Sequence, residues 1–230
     1  MGRLILIETS TSLCSTALVE DGRVVCERLS EEPRAHASMT APYIQDMLNE
    51  KGLKVSDCDA VAVGKGPGSY TGLRVGVSTA KGLCFGAGIP LISIGTLDTL
   101  AWQALDEGLV PEGCEYIIPM IDARRMEVYT AVFTPDCRQI TPTVASVVTE
   151  ESFKDYLAKG PVLFIGDGAG KCRETIKDPG AVFVQCCPKA SGMTRPATAA
   201  LEERRFEDVA YFEPFYLKEF VTTVSKKKLF

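Results

Sequence analysis

Residues 4–29 read LILIETSTSLCSTALVEDGRVVCERL, and the order of signals within them decides the fold. The run 4–7 is wholly apolar and gives way to Glu8-Thr9-Ser10-Thr11-Ser12, the pattern of a buried strand running out into a hydroxyl-rich turn. Residues 15–20 and 23–29 flank Asp21-Gly22, a dipeptide that accepts the positive φ angles of a type I′ hairpin turn. Three strands therefore open the chain before any helix.

Beyond them the period changes. Between residues 35 and 51, Met39, Tyr43, Ile44, Met47 and Leu48 fall on one helical face, with Pro42 disturbing its start and Gly52 as the stop. A short apolar strand, 59–63, runs into Gly64-Lys65-Gly66-Pro67-Gly68-Ser69-Tyr70-Thr71-Gly72, and a helix follows from about 73 to 85. A strand at 91–94 and a helix at 96–104 complete the order β-β-β-α-β-α-β-α. That order fits a ribonuclease-H-like layout; a doubly wound sheet opens β-α-β. The second half echoes the first, with strands at 116–122, 127–133 and 143–148 and a Thr149-capped helix through 157. A strand at 162–165, a short helix, a strand at 181–184 and a helix at 196–206 follow. The expectation is an α/β protein of two related lobes, residues 1–105 and 106–230, joined near 106–113 at Gly108, Pro111 and Gly113.

Composition narrows the function. The chain has 230 residues, 46% apolar and 24% charged, enough for a real core. No apolar run approaches the roughly 20 residues of a bilayer span. The opening MGRLILIETS turns polar too early for a secretory signal, so a cytoplasmic location without membrane contact is expected. A single histidine, His36, excludes HExxH and other His-pair zinc sites within this chain. Nine cysteines are scattered, with only Cys186-Cys187 adjacent, and read as reduced thiols serving as small apolar residues. The net charge of −5 disfavours autonomous RNA binding, and Lys226-Lys227-Lys228 reads as a solvated tail.

Several stretches could carry chemistry. Residues 64–76 put glycines at a strand-to-helix turn, where a helix N-terminus can hold an anion. The spacing matches neither GxxxxGK[ST] nor GxGxxG, and a tight turn with close helix packing explains the glycines equally well. Glu8 with Thr9 suits a magnesium–phosphate site, against the simpler reading of a self-satisfied polar turn. Gly166-Asp167-Gly168-Ala169-Gly170-Lys171 reads as a tight βα turn, because Cys172 stands where a phosphate loop needs Ser or Thr. Asp122 is expected to pair with an arginine across the Arg124-Arg125 turn, and His36 to be a hydrogen-bonded residue at a helix start.

The motif Gly66-Pro67-Gly68-Ser69-Tyr70-Thr71-Gly72-Leu73-Arg74-Val75-Gly76 resembles that of the TsaB (YeaZ) family. Further matching pieces follow in family order: ILIETSTS ending at Ser12, His36 before its helix, DARRMEVY at 122–129, and Pro214-Phe215-Tyr216-Leu217. The resemblance implies a two-lobed actin/sugar-kinase/Hsp70-like architecture with duplicated ribonuclease-H-like units. It also implies a tail that packs back on the first lobe. One departure is Glu8, where the family typically has Asp, which displaces the carboxylate by roughly 1.5 Å.

The catalytic paralogue, TsaD, carries two metal-binding histidines four apart after the strand that corresponds to 91–94. Those positions here are Thr96 and Leu100, which cannot replace imidazoles. The resemblance thus implies a non-catalytic subunit that binds and activates a TsaD-type transferase forming threonylcarbamoyladenosine at position 37 of ANN-decoding tRNAs. No cofactor or metal is assigned to this chain; ATP and a metal belong to the partner subunits. A TsaE-type ATPase is the further partner, tRNA is met only through the complex, and a homodimer is expected in isolation. The expected partner surface uses His36, Met39, Tyr43, Met47, Tyr70, Arg74, Gly76 and Ala80 from two first-lobe helices, beside the motif loop of Gly66, Pro67, Gly68, Ser69, Thr71 and Gly72. The competing reading is an ATP-dependent small-molecule kinase of the same fold using Glu8, Thr9 and Asp122. A chain of 230 residues leaves such a kinase little room to enclose two substrates.

Overall fold

A computed structural model describes residues 2–32 and 35–218; the Lys226–Lys228 run lies outside the described residues. The opening meander forms as its pattern requires. Strand β1 (Arg3–Glu8) is central, with β2 (Cys14–Glu20) paired antiparallel along one edge and β4 (Ala60–Gly66) parallel along the other. β3 (Arg23–Ser30) follows β2 through a hairpin in which Asp21 and Gly22 take φ of 49° and 73°. With β5 (Leu91–Gly95) the order is β3-β2-β1-β4-β5.

The second sheet repeats this. β6 (Tyr116–Asp122), β7 (Glu127–Thr130), β8 (Val144–Val147), β9 (Val162–Ile165) and β10 (Ala181–Val184) lie in the order β8-β7-β6-β9-β10. β7 pairs antiparallel with both β6 and β8, and β9 and β10 are added parallel, as in the first sheet. The same meander-plus-two-parallel topology occurs twice.

The helices exchange partners between the repeats. Helices α1 (His36–Glu50) and α2 (Tyr70–Ala87) cover one face of the first sheet, where Ile44, Met47, Val77, Ala80 and Cys84 pack on Ile5, Ile7, Val61 and Val63. The other face is covered by the second repeat: Ala190 and Met193, then Ala197 and Ala200 of α6 (Thr194–Glu202), lie on Leu4, Leu6, Ala62 and Ile92. Reciprocally, α3 (Thr96–Asp106) belongs to the first repeat in sequence, yet its Leu97, Leu100, Ala101 and Ala104 pack on Ile117, Ile121, Leu163 and Ile165. Helices α4 (Lys154–Leu157) and α5 (Ala169–Cys172) cover the outer face of the second sheet. Each such leucine or isoleucine contributes roughly 1.5–3 kcal/mol, so the middle helical layer ties the lobes together.

Two local expectations are corrected. The helix capped by Thr149 is absent: residues 149–153 form turns, Phe153 takes φ of 66°, and only Lys154–Leu157 is helical. Phe153 packs its ring edge-on to Phe164 at 5.5 Å, and that tertiary contact overrides the local cap. The last helix runs Thr194–Glu202 instead of 196–206, and Arg204 at φ 55° lies just past its end. Pro42 sits inside α1, which nonetheless starts at His36. Past α6 the chain returns across the first lobe. Glu207 N–H donates to Leu91 O at 2.8 Å, Lys81 Nζ to Ala210 O and Phe212 O, and Phe215 N–H to Lys65 O at 2.7 Å.

Candidate functional site

Where β1 ends, the Glu8 side chain is fully buried. Its Oε1 accepts the Ser10 N–H at 2.7 Å, while Oε2 has no partner among the described residues. Burial raises its pKa to about 7, an effect that the hydrogen bonds from Ser10 and Thr9 only partly offset.

The glycine motif closes over this turn. Ser69 caps α2, accepting the Gly72 N–H on its hydroxyl at 3.3 Å, and Ser69 N–H donates to Ser10 O at 2.7 Å. Thr9 Oγ1 donates to Gly72 O at 2.8 Å. A Cβ at Gly72 would stand 2.0 Å from Thr9 O, one at Gly68 2.3 Å from Ser10 O, and one at Gly76 2.2 Å from Thr9 Oγ1. The glycines thus seat α2 directly on the hydroxyl turn, as the close-packing reading of the motif requires. The same turn and loop, through Ser10, Thr11, Gly68 and Ser69, also line the cleft described next.

Beside this closure lies a cleft of about 950 Å³ between the lobes, into which His36, Tyr70, Asp122, Arg124, Asp167 and Lys218 project or border. The arginine partner expected for Asp122 from the hairpin is not found among the described residues. Asp122 Oδ1 meets Lys171 Nζ and accepts the Arg124 N–H at 2.8 Å, in a β6–β7 turn whose Arg124 and Arg125 take φ of 71° and 51°. Asp167 Oδ1 accepts the Asp122 N–H at 2.9 Å, and burial lifts the Asp167 pKa to about 6. Lys218 pairs with Glu127, so the C-terminal segment spans the cleft mouth from Lys65 in the first lobe to Glu127 in the second.

The residues expected at a partner surface separate into two groups. His36, Met39, Tyr43 and Tyr70 are half-buried and Arg74 is exposed. Met47, Gly76 and Ala80 are buried in this chain's own first-lobe core, so they cannot present side chains outward. In the motif loop Gly66, Pro67 and Gly72 are buried, Gly68 is half-buried, and Ser69 and Thr71 are exposed. The Arg74 guanidinium lies 4.7 Å from the Tyr70 ring centroid, and Tyr70 meets Tyr216 at 4.8 Å. His36 Nε2 is buried and has no hydrogen-bond partner among the described residues, where a hydrogen-bonded imidazole is expected. Sequence reasoning missed Phe85, which is 84% exposed. Its signal was available: positions 71, 74, 78, 82 and 85 lie opposite the buried Leu73, Val77, Ala80 and Cys84.

Thr96 and Leu100 are both fully buried at the start of α3, with Leu100 in the second-lobe core. No helix among the described residues is long and apolar enough to cross a membrane.

Duplicated sheets around an interlobe cleft define the actin/sugar-kinase/Hsp70-like class. An Arthrobacter polyphosphate/ATP-glucomannokinase superposes with a TM-score of 0.50 at 11% identity, over 88% of this chain and 100% of that one, a likeness of fold alone. Residues 24–211 match the family model described as "TsaD: tRNA N6-adenosine threonylcarbamoyltransferase". The chain is 32% identical to the Escherichia coli tRNA threonylcarbamoyladenosine biosynthesis protein TsaB, over 99% of this chain and 98% of that one. It superposes on YeaZ from Pseudomonas aeruginosa with a TM-score of 0.81 at 28% identity, covering 94% of this chain and all of that one. The chain belongs to the TsaB (YeaZ) family, whose members are named for tRNA threonylcarbamoyladenosine biosynthesis.

Proposed function

We propose that this chain is the non-catalytic subunit that binds and activates a TsaD-type transferase during formation of threonylcarbamoyladenosine at position 37 of ANN-decoding tRNAs. The observation that carries the reading is the seat of α2 on the Thr9–Ser10 turn. Close backbone contacts at Gly68 and Gly72 spend the glycine motif on packing α2 against that turn. Leu100, buried in apolar surroundings, supports it from a second direction, since the fold spends that position on packing. The kinase reading loses its footing at the same place, because Thr9 Oγ1 is already bonded to Gly72 O.

Activity by docking needs a surface, and the outward faces of α1 and α2 supply one. Met39, Tyr43, Arg74 and the projecting Phe85 combine a cation with aromatic and sulfur-bearing side chains, the types enriched where proteins meet. In isolation the same faces would pair two copies of the chain. A TsaE-type ATPase joins the assembly, and tRNA is met through the complex. The test is tRNA modification assayed with TsaD- and TsaE-type proteins, with and without this chain. Modification is expected only when the chain is added, and product formed by this chain alone would refute the assignment.

A further inference from the structure

We propose that a second interlobe cavity, lined by Lys65, Asp98, Gln139 and Thr143 and walled by Phe215, binds a small zwitterion of amino-acid size. The cavity is separate from the large cleft and has a volume of about 400 Å³. That falls within the roughly 300–1,000 Å³ of small-ligand sites and far exceeds the roughly 30 Å³ of one water. Both lobes build it. Lys65 comes from the end of β4 and Asp98 from the first turn of α3, while Gln139 and Thr143 come from the connection between β7 and β8. Phe215 is held in place by its N–H bond to Lys65 O.

The two charges face one cavity without touching. Among the ion pairs of the described residues none joins Lys65 to Asp98, although Lys65 is near enough to lower the Asp98 pKa. Burial is the larger influence and raises that pKa, as happens when a carboxylate loses water without gaining a contacting cation. Gly95 leaves room for the carboxylate, since a Cβ there would lie 2.2 Å from Asp98 Oδ2. A carboxylate in the first turn of a helix also favours the helix dipole. That role requires neither a cavity nor a facing lysine.

An α-amino acid answers both charges at once, its ammonium to Asp98 and its carboxylate to Lys65. Gln139 spends its amide nitrogen on Thr141 O at 2.7 Å and Thr143 Oγ1 at 3.2 Å, which leaves its amide oxygen as a second acceptor for the ammonium. Phe215 and Leu97 offer an apolar wall, so a neutral side chain fits best.

The experiment is calorimetric titration of the full chain with serine, threonine and valine, each beside its N-acetyl and carboxamide forms. The free amino acids are expected to bind, and loss of either charge to weaken binding roughly ten- to a hundredfold. Asp98→Asn should weaken the free amino acid to the level of its N-acetyl form, and Lys65→Gln to that of its carboxamide. Backbone amide shifts on titrating the unaltered chain keep the test independent of variant folding. Shifts centred on Gly66, Gly95 and Leu97 support the site. Equal affinity for all three forms, absence of heat at millimolar concentration, or shifts centred on Gly68, Tyr70 and Asp122 would overturn it.

Discussion

Gly64 lies against the buried carboxylate of Glu8 so closely that a Cβ on it would stand 2.3 Å from Glu8 Oε2. β1 and β4 are adjacent parallel strands, and the longer glutamate side chain reaches across its neighbour only because that neighbour has no side chain. Gly64→Ala is therefore expected to destabilise the protein by about 1–3 kcal/mol through overpacking, measured by urea unfolding. A neutral result would mean that Glu8 has other room.

Glu8 makes stability depend on pH. Its folded pKa of about 7 lies above the ordinary glutamate value of 4.5, so the folded state holds the proton more tightly. The contribution is fully present below pH about 4.5, declines as pH rises, and is lost above about 7. The total is on the order of 3 kcal/mol. Asp167 has the same sign, so the Glu8 share is read as the difference between the unaltered chain and Glu8→Gln across pH 4–8. Glu8→Gln should be the more stable at pH 8, and parallel pH curves would refute the assignment.

Two glycines on α2 should respond oppositely to alanine. Gly76→Ala drives a Cβ into Thr9 Oγ1 and should cost about 1–3 kcal/mol. Gly82 has nothing within 4 Å of its would-be Cβ, so Gly82→Ala should stabilise the helix by roughly 0.5–1 kcal/mol. Thermal melting of both variants decides it.

Leu100→Ala should cost about 2–5 kcal/mol, because a fully buried leucine leaves a cavity at the junction of α3 with the second sheet. Hydrogen exchange is expected to rise on β6 and β9 more than on β1 and β4, since α3 packs on the second repeat. The reverse pattern would contradict the exchange of helices.

Arg74→Glu tests the outer face. Arg74 is exposed and rests on Tyr70, so folding should lose only about 0.5–1 kcal/mol. Binding to a TsaD-type partner should fall by at least about tenfold. Unchanged binding would move the docking surface away from the head of α2.

The fold was legible where short-range signals coincide with the final structure. Asp21-Gly22 gave its turn, the apolar run at 4–7 gave a central strand, and the change of period after Leu29 announced α1. The helix from Thr149 failed because Phe153 is drawn onto Phe164 of β9, a ring contact that helical or strand periodicity does not encode. The partner surface was half legible for a similar reason. Helical spacing groups Met39, Tyr43 and Met47, but only the sheet beneath decides that Met47 points inward.

The chain by itself determined the meander-first topology, its repetition and the absence of an imidazole pair, because each depends on residue identity or local periodicity. Only the tertiary structure decided that α3 and α6 serve each other's sheets, that glycines press α2 onto the Glu8 turn, and that Lys65 and Asp98 share a cavity. Those facts arise from close packing between segments distant in sequence, where fractions of an ångström at a Cα decide what can lie against what.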